Sequence, residues 1–411
     1  MTTPSKPMPS KPLSLFHLLD PEVLADPYPL YAELRTEAPV HWDPYLHAWV
    51  VTRYADVAQV LSRFHAARTP TPEKLAALGM QQLTPLARVM VRQMLFLDPP
   101  QHGRVRGLAA TAFTPRRVER LRAHIQDITD GLIDAVVARG QADLLAELAN
   151  PLPAIVTAEL LGVPTADHDQ LKNWSQDFAE MLGNFQHNPG RVAKVLHSVE
   201  AMTGYFRDAL ERQTTHPTEG LLNALANAEL DGDRLTQDEV IANVIVTMVG
   251  GQETTTNLIG NGLLTLLRRP DALRRLREHP AEIPTAIEEL LRYESPSQHT
   301  ARLAPDDVEL SGQPIQAGQA VIAVMGAANR DPERFPDPDR LDLARPDNRH
   351  LAFGWASHFC FGAPLARLEA QLAFEAVLRR LPELELAADS VHWRANLGLR
   401  GLTALPVAWS P

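Results

Sequence analysis

The sequence predicts a mainly α-helical chain carrying a few small β-sheets. Three observations predict it. Apolar residues recur at three- and four-residue spacing through most of residues 101–268, the pattern of helices with one buried face. Two short β-rich patches lie outside that region, near residues 39–52 and 308–322. The 34 prolines are scattered, and no Gly/Ser or charge-rich tract divides the 411 residues. Residues 13–411 are therefore expected to form one domain behind a flexible polar tail at 1–12.

Taken in order, residues 21–38 read as a loop and a short amphipathic helix. Residues 39–42 and 48–52 read as two strands with a turn at 43–47, and residues 54–63 as a helix. Pro151, Pro153 and Pro164 punctuate the helical region. Residues 214–220 (TTHPTEG) read as a mobile loop. The stretch 308–322 reads as a hairpin in which VEL pairs with QAVIAV. Residues 329–350 are irregular, 364–381 helical and 391–409 strand-like.

Composition narrows the function classes. With 45% hydrophobic and 22% charged residues the chain can bury a sizeable core. A net charge of −11 leaves no basic footprint for nucleic acid. A single cysteine allows no intrachain disulfide, so no oxidising compartment is required. The longest apolar run, 241–249, is shorter than a membrane span, and residues 1–12 lack the apolar core of a signal peptide. A cytoplasmic monomer is expected.

That cysteine, Cys360, sits in FGWASHFCFG, just before the amphipathic stretch APLARLEAQLAFEAVLRRL. Unpaired N–H groups and the positive dipole end at a helix N-terminus stabilise a thiolate. Phe353 and Phe361 can give apolar cover. Structural zinc needs more protein ligands than one cysteine and one nearby histidine, and an iron–sulfur cluster needs several cysteines. One thiolate suffices where a cofactor supplies the other ligands, as a porphyrin does. Inert packing of a buried cysteine is the competing reading.

A second constellation lies in the apolar helix from residue 241 to 268. Gly250 and Gly251 each cost about 1 kcal/mol relative to alanine there. The pair suggests close approach of a flat or bulky group, or a local opening of the helix. Glu253, Thr254, Thr255 and Thr256 follow, and buried polar groups need partners. Threonines bonding back to the helix carbonyls are the plainer alternative.

The cysteine segment resembles the haem-binding loop F-G-x-G-x-H-x-C-x-G of the cytochrome P-450 superfamily. Phe353, Gly354, His358, Cys360 and Gly362 match, while Ala356 stands where the family usually has glycine. The run 250–255 resembles the family's oxygen-activation motif A/G-G-x-D/E-T-T. The similarity extends from DPYPLYAELR to RGLTALPV. It implies a single-domain P-450 fold and haem b, with Cys360 as the iron ligand. It implies Glu253 and Thr254 as the pair serving dioxygen, one relaying protons and the other donating a hydrogen bond and holding water. It implies His102 and Arg106 (in HGRVR), Arg302 and His358 as partners of the haem propionates. Glu289 and Arg292 match the family's E-x-x-R pair, which Arg334 of the later loop is expected to complete. Other histidines, such as His187 and His216, carry no role.

The function implied is monooxygenation of a small apolar substrate in secondary or lipid metabolism. Electrons would come from a ferredoxin or flavodoxin with its reductase, docking near Arg104, the neighbours of Arg106, and Arg367. The pocket is expected from residues 66–96, Val246 and Gly250, 297–300 and 397–402. A peroxide-driven peroxygenase and a non-catalytic haem sensor are the rival readings.

Overall fold

The computed structural model describes residues 13–182 and 189–410. The polar tail at 1–12 and His187 fall outside the described residues. The chain is mainly helical. Ten helices matter for the site: α1 (Tyr54–Arg63), α2 (Thr84–Met90), α3 (Gln101–Ala112), α4 (Arg122–Asp134), α5 (Pro151–Leu161), α6 (His168–Leu182), α7 (Pro189–Thr215), α8 (Gln237–Leu267), α9 (Ile283–Tyr293) and α10 (Ala363–Arg380).

Helix α8 is the axis of the molecule. A capping box starts it: the Thr236 hydroxyl accepts from the Glu239 N–H, and the Glu239 carboxylate accepts from the Thr236 N–H. Beyond the first turn its apolar residues face every direction, so the helix is stable only when surrounded. It is surrounded, by α5, α6, α7, α9 and α10. Nearly every side chain from Val240 to Leu266 is buried. Helix α10 begins with a proline in its first turn, where no N–H is needed. Arg379 and Arg380 in its last turn pair with Asp130 and Asp134 of α4.

The main sheet has the order Val40–Asp43, Ala48–Val51, Ala320–Ala323, Thr300–Leu303. Its first two strands form the expected hairpin. The second hairpin differs from expectation. Val308–Leu310 pairs with Gln313–Ile315, not with the QAVIAV segment. Ser311 (φ 47°) and Gly312 (φ 78°) make a two-residue turn with both centres left-handed, the kind that suits a tight hairpin. Ala320–Ala323 is thereby released to run parallel to Ala48–Val51 and antiparallel to Thr300–Leu303. The tail expected as strand from 391 to 409 contributes one strand, Pro406–Ala408, and two isolated bridges.

The segment 214–220 is not all loop, because α7 continues through Thr215. Gln213 donates to the Thr218 hydroxyl at 2.8 Å. Gly220 lies against Gly162 so closely that a Cβ on it would come within 2.5 Å of the Gly162 Cα. Only a pair lacking side chains closes that contact.

Candidate active site

The cysteine loop is folded by its own backbone. The Cys360 N–H donates to the Phe353 carbonyl at 2.7 Å, closing the loop on itself. Gly354 (φ 73°) turns the chain, and Ala356 follows at φ 55°. A glycine would hold that second angle freely, whereas an L residue in the left-handed region costs roughly 1–2 kcal/mol. The departure from the family pattern at Ala356 is therefore a point of backbone strain, absorbed in a short turn over Ala356–His358.

The backbone N–H groups of Gly362 and Ala363 point at the Cys360 sulfur as α10 begins. Burial pushes the thiol up, and the Gly362 N–H and the Arg106 charge oppose that shift. Phe361 stacks near Phe113 with centroids 5.0 Å apart, and Phe353 lies beside Phe359. The Arg106 and Arg367 guanidinium groups sit over Phe361 and Phe353. The sulfur thus has apolar walls, two aligned donors and cations behind them.

Three arginines and two histidines converge nearby. His102 on α3 and His358 of the cysteine loop stack with ring centroids 4.0 Å apart. Arg302, on the edge strand of the main sheet, is 3% exposed and donates to the Thr300 hydroxyl and the Ala301 carbonyl. Its Nε and the His102 Nε2 have no partner. Arg106 donates to the Phe359 carbonyl at 2.7 Å. The fifth group, Arg68, lies over the Phe96 ring at 4.7 Å.

Among the described residues the one carboxylate acting on this cluster, Asp98, is occupied by the Ala66 and Ala67 N–H groups and by His65. Burial and like-charge crowding lower the pKa values of the group. Burial and then Arg302 push Arg68 down to about 9, and burial pushes Arg302 down to about 10. Burial, His102 and Arg302 push His358 down to about 3. A collection of cations with orphaned donors and almost no counter-charge is a receptor for carboxylates.

Across the chain, α8 runs unbroken through Gly250 and Gly251, so the helix is not opened there. Gly251 instead admits a close neighbour: a Cβ would meet the Thr157 hydroxyl at 3.1 Å. A Cβ on Gly250 would meet nothing within 4 Å. The Thr254 hydroxyl donates back to the Gly250 carbonyl at 2.9 Å. Glu253 is buried and ion-paired with Arg394, which also donates to Asn257. Burial drives Lys172 of α6 down to about 8, against the pull of Glu253.

The E-x-x-R triad is corrected in one member. Arg292 and Glu289, both fully buried, share two bonds of 2.8 Å. The third member is Arg345, whose Nε lies 3.2 Å from Glu289. Arg334 pairs with Asp347 at 2.9 Å instead. The reason is the course of the irregular segment: the Asp342 N–H and the Asn348 amide also donate to Glu289, so residues 342–348, not 331–336, close over the pair. The expected docking arginines are also engaged. Arg104 pairs with Asp233 and Glu239, and Arg367 makes two 2.7 Å bonds to Glu288. His216 lies on the surface, bonded to the Thr215 hydroxyl.

Sequence reasoning missed Arg68, Arg345 and Arg394. The first two sit in irregular segments where spacing carries no signal. Arg394 meets Glu253 across 141 positions of chain.

Comparison with known proteins decides the family. The family description "Cytochrome P450" matches residues 47–283 and 282–389. The chain belongs to the cytochrome P450 family. This P450 is 38% identical to the biotin biosynthesis cytochrome P450 of Bacillus subtilis, over 94% of this chain and 97% of the relative. It is 41% identical to the cytochrome P450 monooxygenase PikC of Streptomyces venezuelae, over 97% of this chain and 95% of that one. Its fold matches the structure of P450BioI in complex with a hexadec-9Z-enoic acid ligated acyl carrier protein, with TM-score 0.89 and 37% identity. That match covers 95% of this chain and 100% of the other. The protein is accordingly a haem-dependent monooxygenase of the oxidoreductase class, and haem b is its cofactor. The residues present fit the group, which asks for a thiolate at its iron and cations for two propionates. No helix among the described residues is long and apolar enough to cross a membrane.

Proposed function

We propose that this P450 inserts one oxygen atom of O2 into a small apolar substrate of the natural-product or lipid class, by hydroxylation or epoxidation. Its electrons come from a ferredoxin or flavodoxin with its reductase, docking on the cysteine-loop face. The observation that carries the reading is Cys360: a lone sulfur beneath two backbone N–H groups, beside arginines whose one carboxylate among the described residues, Asp98, is already occupied by backbone N–H groups and His65. When bound, haem supplies the redox centre at which O2 is reduced, and thiolate ligation favours cleavage of its O–O bond.

The chain's own residues do the rest. Cys360 would hold the iron. His102, Arg106, Arg302 and His358, joined by Arg68, would hold the propionates, with Arg106 also bracing the loop through the Phe359 carbonyl. Thr254 turns its hydroxyl from the Gly250 carbonyl to hold a water. Glu253 passes protons inward when it leaves Arg394. The Gln298 N–H donates to the Gly398 carbonyl at 2.8 Å and so ties the 297–300 and 397–402 segments together, the two segments that would flank the substrate. The polyketide biosynthesis cytochrome P450 PksS of Bacillus subtilis, 35% identical, and the fold match to a P450 in complex with a hexadec-9Z-enoic acid ligated acyl carrier protein support the natural-product and lipid readings.

The test is the reduced, carbon-monoxide-bound spectrum of wild type and Cys360→Ser. A red-shifted thiolate band that is lost in the variant is expected. A histidine-type band in both would sink the assignment. With a surrogate ferredoxin and reductase, Thr254→Ala is expected to consume O2 but divert most electrons to peroxide. Unchanged coupling would remove Thr254 from its role.

A further inference from the structure

A cleft of about 350 Å3 opens between α2, α7 and the first turns of α8, with neither Cys360 nor Thr254 in its lining. Asp238, Ile241 and Ala242 are its α8 residues. At 3.6 residues per turn Asp238 and Ile241 are rotated roughly 120–180° from Gly250 and Thr254, while Ala242 shares a face with Val246 one turn on and lies roughly 18 Å along the axis from Thr254. The cleft therefore opens away from Gly250 and Thr254, about three turns nearer the start of the helix. Its volume falls in the range of small-molecule sites.

Its lining has two characters. Val89, Val199, Ile241 and Ala242 are apolar. Arg88, Arg92 and Arg207 are cationic, against the carboxylates of Asp238 and Glu200. Asp238 reaches Arg92 only at 3.9 Å and Arg207 only at 4.0 Å, with all three side chains well exposed. Such long, exposed pairs hold little energy. The arginines are in excess by one and weakly committed, beside an apolar wall.

We infer that this cleft is a second ligand site, for a monoanionic amphiphile such as a medium-chain carboxylate. The carboxylate is clamped between Arg92 and Arg207, and the chain lies along Val89, Val199 and Ile241. The wall is tied to the haem side. Asn243, the residue after Ala242, donates to the Arg92 carbonyl at 3.0 Å and accepts from the Met94 N–H at 2.9 Å. Met94 leads to Phe96, on which Arg68 rests. Occupancy of the cleft is thereby coupled to ligand affinity at the iron, and the coupling is reciprocal.

Gly204 supplies the test. It lines the cleft, and a Cβ there would meet nothing within 4 Å. Gly204→Leu fills the space and replaces the poorest helix former but proline with one of the better ones. Holoenzyme saturated with 4-phenylimidazole at the iron, which fills the haem side, is titrated calorimetrically with decanoate and with decanol. One decanoate per chain is expected, with decanol at least tenfold weaker. Gly204→Leu and the Arg92→Gln/Arg207→Gln double variant are each expected to weaken decanoate at least tenfold while keeping the thiolate carbon-monoxide spectrum. Decanoate is also expected to shift the phenylimidazole dissociation constant at least threefold in wild type and not in Gly204→Leu. No decanoate heat in wild type, equal binding of decanol, or unchanged binding in both variants overturns the site. An unshifted phenylimidazole constant overturns the coupling. None of these results touches the haem assignment, which the spectrum reads independently.

Discussion

At the scale of single residues, two side chains sit where the local physics is unfavourable. Ala356 holds a left-handed backbone angle that glycine holds at no steric cost. Ala356→Gly is expected to stabilise the holoenzyme by about 1 kcal/mol, read as a thermal midpoint raised by a few degrees. A lowered midpoint would show that the alanine methyl is packed rather than strained. Glu369 is the second. It lies on α10, 1% exposed, with Oε2 unpartnered, and burial holds its carboxyl well above the usual range. In the unfolded chain it ionises near about 4.3. Because the folded carboxyl keeps its proton, stability is greatest below that value and is lost as pH rises through and beyond it. Glu369→Gln is expected to remove this term. Chemical denaturation at pH 5 and pH 8 is expected to show the variant gaining on wild type at pH 8 by about 1–3 kcal/mol. An equal difference at both values would contradict it.

At the scale of elements, the Glu289–Arg292–Arg345 cluster fastens α9 to the irregular segment that leads into the cysteine loop. Removing one partner of a fully buried pair leaves a charge without compensation, at about 3–5 kcal/mol. Arg345→Met is expected to lose haem on gentle heating and to unfold at lower denaturant. Arg334→Met, which breaks only a pair with an exposed aspartate, is expected to shift stability by less than about 1 kcal/mol. Reversed effects would restore Arg334 as the third member. The contrast also marks what the sequence could show. The helices were legible because apolar residues recur at three- and four-residue spacing through most of residues 101–268, and Cys360 because its loop abuts a helix start. Arg345 was hidden because an extended, turn-rich segment has no period that tells which arginine comes round to face Glu289. The Val308–Ile315 hairpin was misread for a related reason. The alternation of VEL and VIAV suits either pairing, and only the Ser311–Gly312 turn settles which strand comes back.

At the scale of the whole molecule, the site is assembled from segments far apart in the chain: Arg68, His102, Glu253, Arg302, Cys360 and Arg394. Sequence motifs locate such residues one at a time, whereas charge compensation is a property of the set. Arg68 became visible only when Arg302 and Asp98 were placed beside it. The Glu253–Arg394 pair shows the same thing across 141 positions. It joins the central helix to the segment that continues into Leu397 and Leu402, both buried against the core. Arg394→Gln is expected to raise peroxide release in the absence of substrate at least threefold, measured as NADH-dependent peroxide formation. Unaltered release would show that the arginine does not restrain the carboxylate. The pairing makes the enzyme's thrift a matter of what lies in its pocket. A substrate lying against residues 397–402, as proposed above, would also disturb the hand that holds the acid, so that reducing power would be spent when there is something to oxidise and conserved when there is not.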